Sequence, residues 1–145
     1  MQRPISIVWF ERCYLGSLAV SLLNMAVQWP GLIAKMSVQM ESNPAAAQLG
    51  SSFIPAALGI GAVLVIAVSL VLWYFTARQR SAVTKWIVTV LFGYNLLMFL
   101  LGLSSGTVPT GFGAVLGVAA LVLNGLAVWQ LFKPDTKAWF GEVAA

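Results

Sequence analysis

The chain has 145 residues, of which 60% are apolar and only 8% are charged, and its net charge at pH 7 is +4. Soluble domains carry about 25% charged residues, so this composition excludes an ordinary water-soluble protein and indicates an integral membrane protein. The eight basic residues stand in short clusters beside apolar runs rather than along one surface, which argues against a nucleic-acid partner.

Four segments are apolar enough to cross a bilayer, whose hydrocarbon core of about 30 Å needs about 20 helical residues. The first covers about 5–29; Glu11 and Arg12 interrupt its start and no small-residue cleavage site follows, so we expect it to be retained rather than removed as a signal peptide. The others, at about 54–75, 86–103 and 112–132, contain no charged residue. The sequence therefore predicts an all-α integral membrane protein, a single domain built as a bundle of four transmembrane helices.

The first connection predicts a short helix lying in the membrane interface over 31–42. Pro30 and Gly31 are expected to break the first transmembrane helix. Beyond them, apolar side chains recur at helical spacing and alternate with polar ones on the opposite face. The apolar positions are Leu32, Ile33, Met36 and Met40, and the polar ones are Lys35, Gln39 and Glu41.

The basic residues predict the orientation, because Lys and Arg beside membrane spans are retained in the cytoplasm. They flank the same end of every span, at Arg3, Arg12, Arg78, Arg80, Lys85, Lys133 and Lys137. The opposite side carries Lys35, which Glu41 balances. Both termini are therefore predicted to be cytoplasmic, and Pro134 is expected to end the fourth helix. In the tail, 133–145, Trp139 and Phe140 are expected to anchor an interfacial turn.

The first helix carries a polar stripe. Ser17, Ser21, Asn24 and Gln28 follow one another at spacings of four, three and four, which places them on one helical face. Polar groups in hydrocarbon need partners, so this face is expected to meet another helix, a partner protein or a water-filled path. Interhelical hydrogen bonding and a substrate or ion path both fit the pattern.

The fourth helix carries a matching face of small residues. Gly113, Gly117, Ala120 and Asn124 share that face, and the two glycines form a GxxxG step that allows a second backbone to come close. Asn95 in the third helix is expected to join the same interior. This seam can lie within the bundle or between copies of the chain.

Glu11 is a carboxylate near the start of the first predicted span. Beside Arg12 at the headgroup level, it is expected to pair with Arg78 or Arg80 of the loop after the second helix. A proton-coupled role and a docking site for another subunit are the alternatives.

Catalytic and metal-binding patterns are not visible in the sequence. The chain has no His, and Cys13 is its one cysteine, so it predicts no metal site and no nucleophile with a base at recognisable spacing. No cofactor is identifiable, although an apolar bundle is compatible with a bound lipid, quinone or carotenoid. We therefore expect a protein that is not an enzyme.

Two end motifs, Arg3-Pro4-Ile5-Ser6 and the run from Leu131 to Phe140, resemble those of uncharacterised small four-helix bacterial inner-membrane proteins. The resemblance covers the two ends and implies a multi-pass protein of the bacterial cytoplasmic membrane, with no implied activity. The expected function is that of an accessory or assembly subunit, which associates with other membrane subunits or with itself. The alternative is a small oligomeric transporter or channel whose path is lined by the stripe of the first helix and Glu11.

Overall fold

A computed structural model describes residues 3–42, 50, 52–106 and 111–141. Every regular element in these ranges is a helix: α1 (Ile5–Glu41), α2 (Phe53–Ala77), α3 (Ala82–Ser104), α4 (Phe112–Gln130) and the single turn α5 (Pro134–Lys137). Within the described residues, α1 to α4 are each long and apolar enough to cross a membrane. These findings confirm the prediction of an all-helical protein with four apolar segments of spanning length.

The structure corrects the predicted break after the first span. α1 runs without interruption through Pro30 to Glu41, so 31–42 does not form a separate helix. Proline removes one backbone hydrogen bond, to the carbonyl of Ala26, and a long helix tolerates that loss. The residues that follow are mostly strong helix formers such as Leu32, Met36 and Met40, which favour continuation. At 37 residues, α1 is about 55 Å long.

The connection between α2 and α3 is shorter than predicted. The hydroxyl of Ser81 accepts a hydrogen bond from the backbone N–H of Thr84 at 3.3 Å, which caps α3 and starts it at Ala82 rather than Trp86. Lys85 therefore lies in the first turn of α3 and not in a loop. Its side chain is buried, with the ammonium 4.7 Å from the ring centre of Phe132.

The buried core lies at one end of the bundle, which we call the closed end. It is formed by the starts of α1 and α3, the ends of α2 and α4, and the segment after α4. Its most buried apolar side chains are Ile7, Phe10, Ala77, Val88, Ala127 and Leu131. Elsewhere the helices present apolar side chains outward, as expected of a surface that faces lipid.

The two end motifs meet at the closed end. Asp135 accepts hydrogen bonds from the backbone N–H of Ser6 at 3.3 Å and from its hydroxyl at 2.9 Å. The Asp135 carboxylate thus accepts a hydrogen bond from a free backbone N–H in the first turn of α1. Pro4, at the N-cap position, cannot do this because its side chain has no acceptor. Trp139 and Phe140, expected as interfacial anchors, are instead buried in the core, because the turn after α4 folds back onto the bundle.

Replacing Asp135 by Ala should destabilise the fold by about 0.5 to 2 kcal/mol, the usual cost of losing a helix N-cap. Asp135→Asn keeps one of the two accepting oxygens and should therefore lose less stability than the Ala variant. Thermal unfolding of the purified protein in a mild detergent measures both. Equal unfolding temperatures for the Ala and Asn variants would show that the cap does not stabilise α1.

Candidate functional site

A cavity of about 470 Å³ lies between the four long helices, midway along their length, and we call it the central cavity. All four helices contribute to its wall. Its polar side chains are Tyr14, Ser17, Ser21, Asn24, Ser69, Asn95 and Asn124. Within the part of the chain that the structure describes, no charged residue lines it. Of the described residues that line the central cavity, half are therefore polar and none is charged, and the cavity lies within the helices of spanning length.

Most residues of the predicted polar stripe and small face lie on this cavity. Ser17, Ser21, Asn24, Asn95, Gly117, Ala120 and Asn124 line it, whereas Gln28 and Gly113 do not. Sequence reasoning missed Tyr14 and Ser69. Tyr14 precedes Ser17 by three residues and so extends the stripe of α1 at the same spacing. Ser69 was visible only as one hydroxyl inside an otherwise apolar run of α2.

Gln28 and Gly113 belong to the contact between α1 and α4, the most extensive helix contact in the described chain. The amide nitrogen Nε2 of Gln28 donates to Oδ1 of Asn24 at 2.8 Å. This amide pair covers the GxxxG step: a Cβ atom at Gly113 would lie 3.2 Å from Cδ of Gln28, and one at Gly117 would lie 3.7 Å from Nδ2 of Asn24. We call these four residues the amide seam.

The polar groups of the cavity differ in how they are hydrogen-bonded. The Ser17 hydroxyl donates to the Tyr14 carbonyl at 2.8 Å, and the Asn95 amide donates to the Leu91 carbonyl at 2.8 Å, so their own helices satisfy these donors. Among the described residues, the amide of Asn124 and the hydroxyl of Ser21 find no hydrogen-bond partner. These two side chains are available to a molecule in the cavity.

Among the described residues, most charged side chains lie at the closed end and none lines the cavity. Glu11 forms ion pairs with Arg3 at 3.2 Å and with Arg78 at 3.3 Å. Arg80, one of the two predicted partners, instead places its guanidinium 4.3 Å from the ring centre of Trp139. Arg12 stacks 5.8 Å from the ring centre of Trp9. Glu11 is thus held by two cations at the end of the bundle.

Comparison of the chain with protein-family models, with curated proteins and with solved structures finds no significant match. A pocket with hydroxyls and amides but no charge can orient a neutral molecule through hydrogen bonds.

Gly113→Leu should separate α1 from α4, because the added side chain meets Gln28 and Asn24 at once. We expect the free energy of unfolding to fall by about 1 to 3 kcal/mol, as it does when other well-packed contacts are overpacked. Gly93→Leu is the matched control, since the same atoms added on the exposed surface of α3 meet nothing within 4 Å. The free energies of unfolding of the two variants are compared in mixed micelles of detergent and denaturant. Equal values would contradict a close contact of α1 and α4 at the amide seam.

Proposed function

We propose that the chain is a non-enzymatic subunit of a membrane assembly, formed with another membrane protein or with copies of itself. The observation that supports this function is a shallow, widely open apolar groove on one face of α2, which we call the α2 groove. It is lined by Pro55, Ala56, Gly59, Ile60, Val63 and Leu64. Its wall is almost free of polar atoms, so only an apolar surface matches it.

Association inside a bilayer depends on shape, because lipid tails are as apolar as the helix surfaces they would leave. Small residues allow the backbones of two helices to approach closely and to gain van der Waals contact. A Cβ atom added at Gly59 would meet no other atom within 4 Å. The neighbouring side chains Ile60 and Val63 are mostly exposed. The α2 groove can therefore receive the side-chain ridge of another helix.

The proposed membrane orientation places the closed end in the cytoplasm. Arg3, Arg78, Arg80 and Lys133 are at this end, and the positive-inside rule retains such residues on the cytoplasmic side. Lys35 and Glu41 lie far along α1 from this end and carry no net charge together. We accordingly propose a multi-pass protein of the bacterial cytoplasmic membrane, with the starts of α1 and α3 facing inward and the last turns of α1 near the outer interface.

Gly59→Leu tests the subunit function because it fills the α2 groove without touching the core of the bundle. We expect the variant to remain folded and to lose its partner, so that the native mass of the particle purified from its own membrane falls to that of a single chain. Gly93→Leu, on the surface of α3, should leave the assembly intact. Wild-type particles that contain one chain and no other protein would refute the proposal.

A small transporter or channel is the second candidate, and the central cavity favours it because all four helices contribute to its polar wall. In its proton-coupled form, this candidate needs Glu11 to exchange a proton at the inner mouth of the path. In the structure, Glu11 forms ion pairs with Arg3 and Arg78 at the closed end.

Glu11→Gln separates the two candidates. For a subunit, the substitution should leave association unchanged and cost about 1 kcal/mol or less, because both arginines are partly exposed to solvent. For a proton-coupled carrier, it should abolish the proton flux reported by a pH-sensitive dye inside proteoliposomes. Wild-type flux equal to that of protein-free liposomes would eliminate proton-coupled transport.

A further inference from the structure

We propose that the central cavity is a binding site for an uncharged amphiphile, a molecule with carbonyl or hydroxyl oxygens at one end and a hydrocarbon body. The polar end would lie against Asn124 and Ser21. The body would occupy a second cavity that continues from the first. Leu64 lines both the second cavity and the α2 groove. The hydrogen-bonding groups of the site belong to the central cavity, so the inference does not rest on the proposed assembly.

The absence of charge along the described cavity wall determines the charge of the ligand. Moving an ion into the middle of a bilayer is costly unless an opposite charge or a water-filled path receives it. The ion pairs of Glu11 with Arg3 and Arg78 lie at the closed end and do not reach the cavity. An uncharged molecule meets no such penalty.

The hydrogen-bonding groups determine the chemistry of the polar end. Ser21 is exposed and Asn124 is half-buried, so both side chains open onto the cavity. In surroundings that are otherwise apolar, an unpaired amide and hydroxyl favour a ligand that satisfies them. The amide supplies two N–H donors and the hydroxyl one donor, and both also accept. Carbonyl and hydroxyl oxygens on the ligand are the complementary groups.

The second cavity determines the shape of the ligand. It measures about 440 Å³ and shares Tyr14, Ser69, Asn95 and Asn124 with the first. From there it extends between α2 and α3 along side chains that are almost all apolar, including Val68, Leu72, Leu91 and Phe92. A space with so few polar groups offers water too few hydrogen-bond partners. A polar compartment joined to an apolar one is complementary to an amphiphile.

The size and openness of this joined space are consistent with a membrane-soluble ligand. Pockets for small molecules usually measure about 300 to 1,000 Å³, and each of the two cavities falls within that range. Both cavities are partly open to the outside of the bundle. The α2–α3 contact, which borders the apolar compartment, is much smaller than the contact between α1 and α4. A hydrocarbon body can therefore reach the compartment from the surrounding lipid.

The test uses decylubiquinone, which has carbonyl oxygens on a ring and a ten-carbon chain, as the probe. Purified full-length protein in mild detergent is titrated with it, and bound adducts are counted by native mass spectrometry. We expect saturable binding of one molecule per chain. Decyl sulfate, with the same chain and a negative charge, should not bind in a saturable way.

Two variants locate the site. Asn124→Leu keeps the side-chain size but removes the amide, and Ser21→Leu fills the cavity; each should weaken probe binding about tenfold or more, the effect of losing a buried hydrogen bond or the space itself. Val122→Leu is the control, since that side chain is 54% exposed on the outer surface of α4. Thermal unfolding establishes that each variant is folded.

The outcomes distinguish a ligand site from a water-filled space. Saturable binding that both cavity variants weaken and the control keeps supports the proposal. Equal probe binding by the wild type and both cavity variants would mean that the probe lies on the outer apolar surface of the bundle. That result would overturn the proposal. Wild-type protein that binds neither probe overturns it as well. Loss of assembly in Gly59→Leu with probe binding retained would separate this site from the α2 groove.

Discussion

The contact between α1 and α4 organises the bundle, and it depends on placing amide side chains inside a membrane. Hydrocarbon offers no hydrogen-bond partners, so Asn24 and Gln28 pair with each other and lie over a step of two glycines. The backbones of α1 and α4 can approach closely because Gly113 and Gly117 have no side chains. The same two glycines leave room for the amide groups of Asn24 and Gln28. The same geometry that joins α1 to α4 turns the rest of the α1 stripe toward α2 and α3, and this creates the polar wall of the central cavity.

Charge and polarity are segregated along the bundle. Glu11 with its two arginines, the buried Lys85 and the Ser6–Asp135 contact all lie at the closed end, where the apolar core is also concentrated. Neutral hydroxyls and amides occupy the middle of the helices. This separation allows the ionic groups to remain near water while the weaker dipoles are available deep in the membrane, where a full charge would be costly. The closed end therefore holds the buried core, and the middle of the helices holds the uncharged hydrogen-bonding groups.

Hydropathy was sufficient to predict four helices of spanning length, and the spacing of polar residues predicted which side of α1 would face inward. Three features were beyond such patterns. A Pro-Gly pair usually ends a helix, and only the strong helix formers after it account for continuation to Glu41. Asp135 caps a helix that begins about 130 residues earlier, a tertiary contact that no local signal reveals. Ser69 is one hydroxyl in an apolar run, and its place in the wall of the central cavity follows only from how the four helices pack.

The continuity of α1 through Pro30 has a mechanical consequence. A helix of about 55 Å exceeds the hydrocarbon thickness of about 30 Å, so it connects both aqueous boundaries as one rod. Its start is fastened to Asp135, and its last turns extend beyond the residues that contact Gly113. Proline removes one of the hydrogen bonds that stiffen the rod, so bending concentrates there. A force on 31–41 is thus expected to bend α1 at Pro30, so that only part of it reaches the amide seam.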